Sequence, residues 1–336
     1  MINPRSLTVA ALLGLSALLM AQQPGVIKVD VNLVHIIATV KNQAGELVGN
    51  LEKGDFEIYD NDTKQEVAVF EHQTGQTLSV ALMIDTSGST AKELKYEADA
   101  SSRFLSALLD EGNAADAVSL YTFNYQVRQE LGFTRDHKAL AARLKLLRGQ
   151  AGTALYDALV FGGRDLEPRD GRKVIVVVTD GGNTFSKFTI DDALEAAHMA
   201  DAVIYSVVVM PITNPVGRNT GGEHALQILA ERTGGKIFFP ATGPELDKVF
   251  SQIIRELRTQ YLLGFYPKNV ALTKNPFHKL EIKLKNPDLR VSARNGYYGE
   301  VEQAGSGSAE DRISVSPERQ RKPAPPPQEQ RKKKPY

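Results

Sequence analysis

Three short stretches of this chain are rich in oxygen ligands: Asp85-Thr86-Ser87-Gly88-Ser89, Gly152-Thr153-Ala154 and Thr179-Asp180-Gly181-Gly182. In the first, Asp85, Ser87 and Ser89 alternate along a turn that follows the apolar run from Leu78 to Ile84. Together with Thr153 and Asp180 they offer two carboxylates and three hydroxyls, with glycines that let backbone approach closely. Such a hard, all-oxygen set suits Mg²⁺, Mn²⁺ or Ca²⁺ rather than Zn²⁺ or Cu²⁺. Mg²⁺ takes six oxygens in near-octahedral geometry and keeps some of its waters. Ser87 and Ser89 can ligate directly, with Thr153 as a third hydroxyl; Asp85 and Asp180 can ligate directly or through water. Hydroxyls neutralise no charge, so the ion stays electron-poor and favours a carboxylate from outside at its open position. That is capture through a metal bridge, with no bond broken. The competing reading is a metal-free fold in which the hydroxyls cap the following helix. It accounts for Ser89 or Thr90 but not for two carboxylates brought together, which repel and raise each other's pKa without a cation.

The elements that must position these residues alternate between strand and helix. Apolar runs predict strands at Leu78–Ile84, Ala117–Phe123, Lys173–Thr179, Ala202–Met210 and Lys236–Pro240, with a short edge strand at Tyr125–Leu131. Helical patterns fill the gaps at Ala91–Asp110, Asp136–Leu147, the segment beginning Ala154-Leu155-Tyr156, Ile190–Ala200, His224–Arg232 and Pro244–Arg258. In the last, Leu246, Val249, Phe250, Ile253, Ile254 and Leu257 keep the helical period. Strand–helix alternation implies an α/β fold, a Rossmann-like and mostly parallel sheet flanked by helices on both faces. Ligands of such sheets bind beyond the carboxyl ends of the strands, where all three oxygen-rich stretches fall.

On either side the pattern changes. From residue 22 to 76, short alternating segments separated by turns such as Asp60-Asn61-Asp62 read as β-sandwich material. A hairpin turn is the better reading of Asp60 and Asp62 than a calcium loop, because no acidic partner follows at a loop-like spacing. Three more β segments, QYLLGFYP, KLEIKLKN and LRVSARNGYY, occupy residues 259 to 300. The expected organisation is an α/β domain over residues 77–258 inserted into, or flanked by, a small β-sandwich-like domain made by the two β segments. Residues 1–21 carry one basic residue, Arg5, and an apolar run of about 14 residues, short of the about 20 needed to span a bilayer. They read as a secretory signal, retained as an anchor if uncleaved, and imply a secreted or periplasmic protein with no later transmembrane span. Residues 301–336 are rich in Pro, Gln, Ser and charge, and read as a disordered tail.

Composition narrows the classes further. The chain has 336 residues, 42% hydrophobic and 24% charged, with a formal net charge of +0. A neutral chain offers no electrostatic case for nucleic acid. The absence of cysteine removes disulfides, thiolate metal sites and a cysteine nucleophile.

D-x-S-x-S at residues 85–89, Thr153 in a Gly-Thr loop, and Thr-Asp-Gly at 179–181 resemble the metal-ion-dependent adhesion site of von Willebrand factor A domains. The resemblance spans about Leu78 to Arg258. The wider layout, including Tyr261–Pro267, resembles the VWFA-related family common in Acidobacteria. It implies divalent-cation-dependent protein binding, with Asp85, Ser87, Ser89, Thr153 and Asp180 as metal ligands and a partner that offers a carboxylate. In adhesive members a shift of the last helix, here Pro244–Arg258, is coupled to ligand binding. No enzymatic activity follows from it. An aspartic protease is disfavoured because Ser87 separates Thr86 from Gly88 and the fold is not all-β. A serine hydrolase would need a histidine near Ser87 or Ser89, and none of the six lies in the three stretches; His198 and His224 are expected on helix surfaces or starts. The alternative of another class is a structural or assembly protein of the cell envelope with a degenerate metal site.

Overall fold

The computed structural model describes residues 33–72, 75–90, 93–209, 219–270 and 275–299. The expected signal segment and the tail lie outside the described residues, as does the end of the predicted strand at Met210.

The central feature is a six-stranded sheet in the order β10-β9-β8-β5-β6-β7. Its strands are β5 (Leu78–Asp85), β6 (Ala117–Phe123), β7 (Val127–Thr134), β8 (Arg172–Thr179), β9 (Ala202–Val208) and β10 (Lys236–Phe238). All neighbours run parallel except β7, which pairs antiparallel with β6 at the edge. Every residue of β5 is buried, as expected for a strand covered on both faces. Its side chains alternate between two cores. Val80, Leu82 and Ile84 pack with α1 (Leu94–Asp110) and α6 (Gly243–Thr259), through residues such as Phe104, Leu105, Phe250 and Ile253. Ala81 and Met83 face α3 (Leu155–Leu166), α4 (Ile190–Met199) and α5 (Thr220–Arg232). The short α2 (His137–Leu144) buries Leu140 and Leu144 on the first of these faces. The chain moves from β5 to β6 in one direction and returns to place β8 on the other side. The strand order thus reverses beside β5, and the crevice beyond Asp85 sits at that switch point.

Among the described residues two four-stranded sheets accompany it, in the orders β13-β1-β11-β4 and β14-β12-β2-β3. Their strands are β1 (Val34–Lys41), β2 (Phe56–Asp60), β3 (Thr63–Gln65), β4 (Val69–His72), β11 (Tyr261–Phe265), β12 (Phe277–Leu284), β13 (Arg290–Ala293) and β14 (Gly296–Tyr298). Each sheet mixes strands from before and after the α/β unit: β1 pairs with β11, and β2 with β12. Ile36, Ala38, Ile58, Tyr261, Leu263, Phe265 and Leu280 fill the core between them. The segment QEVAVFEH, expected as one strand, breaks at residues 66–68, and its halves join different sheets. LVGNL forms only a bridge between Leu47 and Lys41. Asn61 and Asp62 adopt φ of 44° and 64° between β2 and β3, a two-residue hairpin turn.

The two units are tied together around α6. Lys41 of β1 bonds Glu256 at 2.5 Å, and the Gln260 amide donates to Thr39 Oγ1 at 3.3 Å and Tyr205 Oη at 3.2 Å. Among the described residues no helix is long and apolar enough to cross a membrane.

Candidate metal-binding site

Asp85 ends β5 and is fully buried. Its Oδ2 accepts a 2.6 Å hydrogen bond from Thr179 Oγ1, at the end of β8, and its Oδ1 accepts from the Ser87 backbone at 2.8 Å. The turn that follows is clamped on both sides. Thr86 N donates to Phe123 O of β6 at 2.8 Å, and Gln150 N donates to Thr86 O at 2.8 Å. Thr90 Oγ1 closes the turn by donating to the carbonyls of Asp85 and Ser87 at 3.0 and 3.1 Å. Ser87 Oγ and Ser89 Oγ lie 3.0 Å apart; Ser87 is buried and Ser89 exposed.

The bridge between Ser87 and Gln150 brings the second stretch alongside the first. Thr153 is buried, and its backbone is fixed on every side. Its N–H donates to Thr184 Oγ1 at 3.0 Å, and its carbonyl accepts from Thr184 N and Phe185 N at 2.8 and 2.9 Å. Asp157, one turn into α3, holds the same loop by accepting from the N–H groups of Lys187 and Phe188 at 2.7 and 3.0 Å. Asp180 is half-buried, and its Oδ1 accepts from Gly182 N at 3.0 Å. A methyl group placed on Gly182 would meet Asp180 Oδ1 at 3.2 Å and Thr153 Oγ1 at 3.5 Å. Those two oxygens therefore share one small space. Gly181 takes φ of 88°, and a Cβ on Gly222 at the start of α5 would lie 1.6 Å from the Gly181 carbonyl oxygen. Glycine at both positions lets α5 press the Asp180 loop inward.

The electrostatics match this crowding of acids. Burial, followed by repulsion from Asp180, pushes the Asp85 carboxyl up to about 7, against the hydrogen bonds from Thr179 and Ser87. The sequence reading missed a further participant, Glu97 on α1. It is 1% exposed, and neither carboxylate oxygen has a hydrogen-bond partner. Burial, then Asp85, Glu93 and Asp180, hold its pKa well above the ordinary carboxylate range. Glu93 is also buried. The available signal was the spacing: Glu93 and Glu97 are one helical turn apart, directly after the oxygen-rich turn. Among the described residues, no group of three or more His, Cys, Asp or Glu is gathered closely enough to hold a metal by itself. A cation here must draw on hydroxyls and water.

Residues 80–183 match the family model of the von Willebrand factor type A domain. The match runs from β5 to the loop after β8 and includes all five oxygen-bearing residues. Similar solved structures include BatB from Bacteroides thetaiotaomicron, at 19% identity and TM-score 0.43, covering 53% of this chain and 98% of that one. The von Willebrand factor domain of the type V pili tip protein Mfa5 from Porphyromonas gingivalis is 14% identical, with TM-score 0.45, covering 54% of this chain and 95% of that one. The pilus adhesin SpaC from Lactobacillus rhamnosus GG, in an open conformation, is 10% identical with TM-score 0.46, covering 73% and 47% of the two chains. No curated protein matches the chain. The α/β unit has the layout of the von Willebrand factor A fold, with the two antiparallel sheets as additions to it.

Proposed function

We propose that this chain is an exported, divalent-cation-dependent binding module of the adhesion type, which captures an acidic group of a protein partner. The observation that carries the reading is the placement of Asp85, Thr153 and Asp180, far apart in sequence, on one rim of one sheet, with Ser87 and Ser89 on the same turn. The residues fit a hard cation. Burial, with the charge of Asp180 adding to it, raises the pKa of Asp85, and a third carboxylate, Glu97, has no partner for either oxygen. Mg²⁺, Mn²⁺ or Ca²⁺ would relieve that repulsion and supply a Lewis-acidic point for an incoming carboxylate. Asp85, Ser87, Ser89, Thr153 and Asp180 would hold it. Thr179 would orient Asp85 through the bond to Oδ2.

Thermal unfolding of the full chain with Mg²⁺ and with EDTA tests the metal. Capture of envelope proteins with and without chelator tests the partner. A metal-dependent rise in Tm that disappears in Asp85→Ala supports the reading; its absence in the wild type overturns it.

A second reading is favoured by one observation. Thr179 Oγ1 and Ser87 N donate to the two oxygens of Asp85, and the Ser87 and Ser89 hydroxyls pair with each other. A structural or assembly protein with a degenerate site would look like this. It expects partner capture that is indifferent to chelator and to Asp180→Ala.

A further inference from the structure

A groove of about 310 Å³ opens at the carboxyl rim, between the edge strand β7 and the loop that leaves α2. It adjoins the candidate metal turn. Thr86 and Gln150 both line it, and the 2.8 Å bond from Gln150 N to the Thr86 carbonyl holds their two stretches side by side. The charged part of the lining is Arg128 on β7, Arg143 near the end of α2 and Arg148 beyond it, set against Glu130 alone.

All three arginines are exposed, and among the described residues none of them pairs with a carboxylate. Arg148 donates to the carbonyl of its neighbour Leu147, and Glu130 accepts from the Thr122 hydroxyl at 3.0 Å. The chain as a whole has a formal net charge of +0, so this positive charge is a local concentration. Like charges gathered along one groove repel each other, and an entering anion turns that cost into attraction. Apolar side chains stand beside them. Tyr125 is 46% exposed, Phe185 59% and Leu146 63%. A Cβ on Gly152 would meet Phe185 Cδ2 at 2.7 Å and Tyr125 Cβ at 3.0 Å, so both aromatic residues flank the loop that carries Thr153. Leu146 lines the groove itself.

We infer that this groove receives a run of carboxylates on the partner protein, held by Arg128, Arg143 and Arg148 next to the carboxylate proposed for the metal. The inference rests on the proposed function for that one carboxylate and adds the chemistry of the residues around it. Arginine and aromatic residues are the types enriched where proteins meet. Exposed Leu146 and Phe185 favour a protein, whose apolar side chains can cover them, over an acidic polysaccharide. An acidic segment gains two attachments on one chain, so the second forms at high effective concentration.

The test is fluorescence-anisotropy titration of the full chain with a labelled hexaglutamate peptide. The reference is a peptide of equal length with a single glutamate among glycines. Each is titrated in Mg²⁺ and in EDTA at constant ionic strength, and again at higher salt. Hexaglutamate should bind saturably and about tenfold more tightly than the reference. Arg128→Gln, Arg143→Gln and Arg148→Gln together should remove that preference and its salt dependence, and leave the Mg²⁺-dependent rise in Tm as in the wild type. The Tm of this variant in EDTA reports whether it folds, and Arg148→Gln alone, on an exposed loop, serves if it does not. Asp85→Ala should lose the Mg²⁺-dependent part of binding and keep the arginine-dependent preference. A wild type whose Tm ignores Mg²⁺ while that preference persists in EDTA overturns the metal and supports the groove. Equal binding of the two peptides, or a preference undiminished in the arginine variants, overturns the groove and leaves the metal standing. A heparin oligosaccharide that binds the arginines more tightly than hexaglutamate overturns it too, by assigning the groove to polysaccharide.

Discussion

The two rims of the central sheet face the same physical problem with opposite sign. At the carboxyl rim, Asp85, Glu93, Glu97 and Asp180 bring negative charge into a space that burial makes hostile to it. At the amino rim, Arg172 and Arg294 are buried with donors that meet no acceptor. The carboxyl rim is built from the α/β unit alone, from the ends of β5 and β8 and the loops before α3 and α5. The amino rim is half made by the sandwich, which contributes His35 and Arg294. The difference teaches that a buried charge has two remedies here. One, proposed for the carboxyl rim, is a ligand from solution. The other is a partner from the neighbouring unit, as Asp201 is for Arg294 and Lys41 for Glu256.

The comparison can be broken most sharply with pH. Asp85 is raised from 3.8 to about 7 in the folded chain, so the folded state binds the extra proton between those values. Stability of the metal-free chain should therefore fall as pH rises from about 4 to 8, by up to roughly 4 kcal/mol from this group. Glu97 acts in the same direction. Denaturant unfolding in EDTA across that range measures it, and Asp85→Asn should flatten the profile. A flat wild-type profile would remove the electrostatic contrast between the rims.

Next in size is the cross-unit partner. Glu256 is 2% exposed and bonds Lys41 at 2.5 Å. Lys41→Met should leave that buried carboxylate without its ion pair, held only by the Gln252 amide at 3.0 Å, and cost about 3 kcal/mol, read from the shift of the urea midpoint. A bound cation is the remedy proposed for the other rim. Mg²⁺ at about 100 times its dissociation constant should add roughly 2.7 kcal/mol, and Asp85→Ala should abolish that increment in a thermal scan. The smallest effect should come from Glu97→Gln. It replaces a carboxylate that has no partner by a neutral isostere, and in EDTA at pH 8 it should stabilise the chain by about 1 kcal/mol. A loss of stability instead would mean that the Glu97 carboxylate has a favourable role in the metal-free fold.

Much of the α/β unit was legible because its signal is local. The apolar runs at Leu78, Ala117 and Lys173 give strands within a residue or two of those expected, and the 3.6-residue pattern from Leu246 to Leu257 gives α6. The sandwich strands were less legible. QEVAVFEH alternates as a single strand should, but partners on two different sheets divide it at residues 66–68. LRVSARNGYY divides in the same way around Arg294, which bridges to Thr233 instead. His198 was expected on a helix surface; the sandwich covers it, with Phe277 stacked on the ring. Glu97 sits one turn into a helix, where an acid ordinarily faces water, and the Asp85 rim folds over it instead.

Sequence alone determined the period of each element, the strand-end position of Asp85 and Asp180, and the chemical hardness of the oxygen donors, because these depend on neighbours a few residues away. Tertiary structure decided which polar groups lost their water and which found partners. His198 and Phe277, and Asp201 and Arg294, are separated by long stretches of chain, and only the docking of two units brings each pair together. Burial is a property of what packs on a residue from elsewhere in the chain, and local pattern carries no record of it.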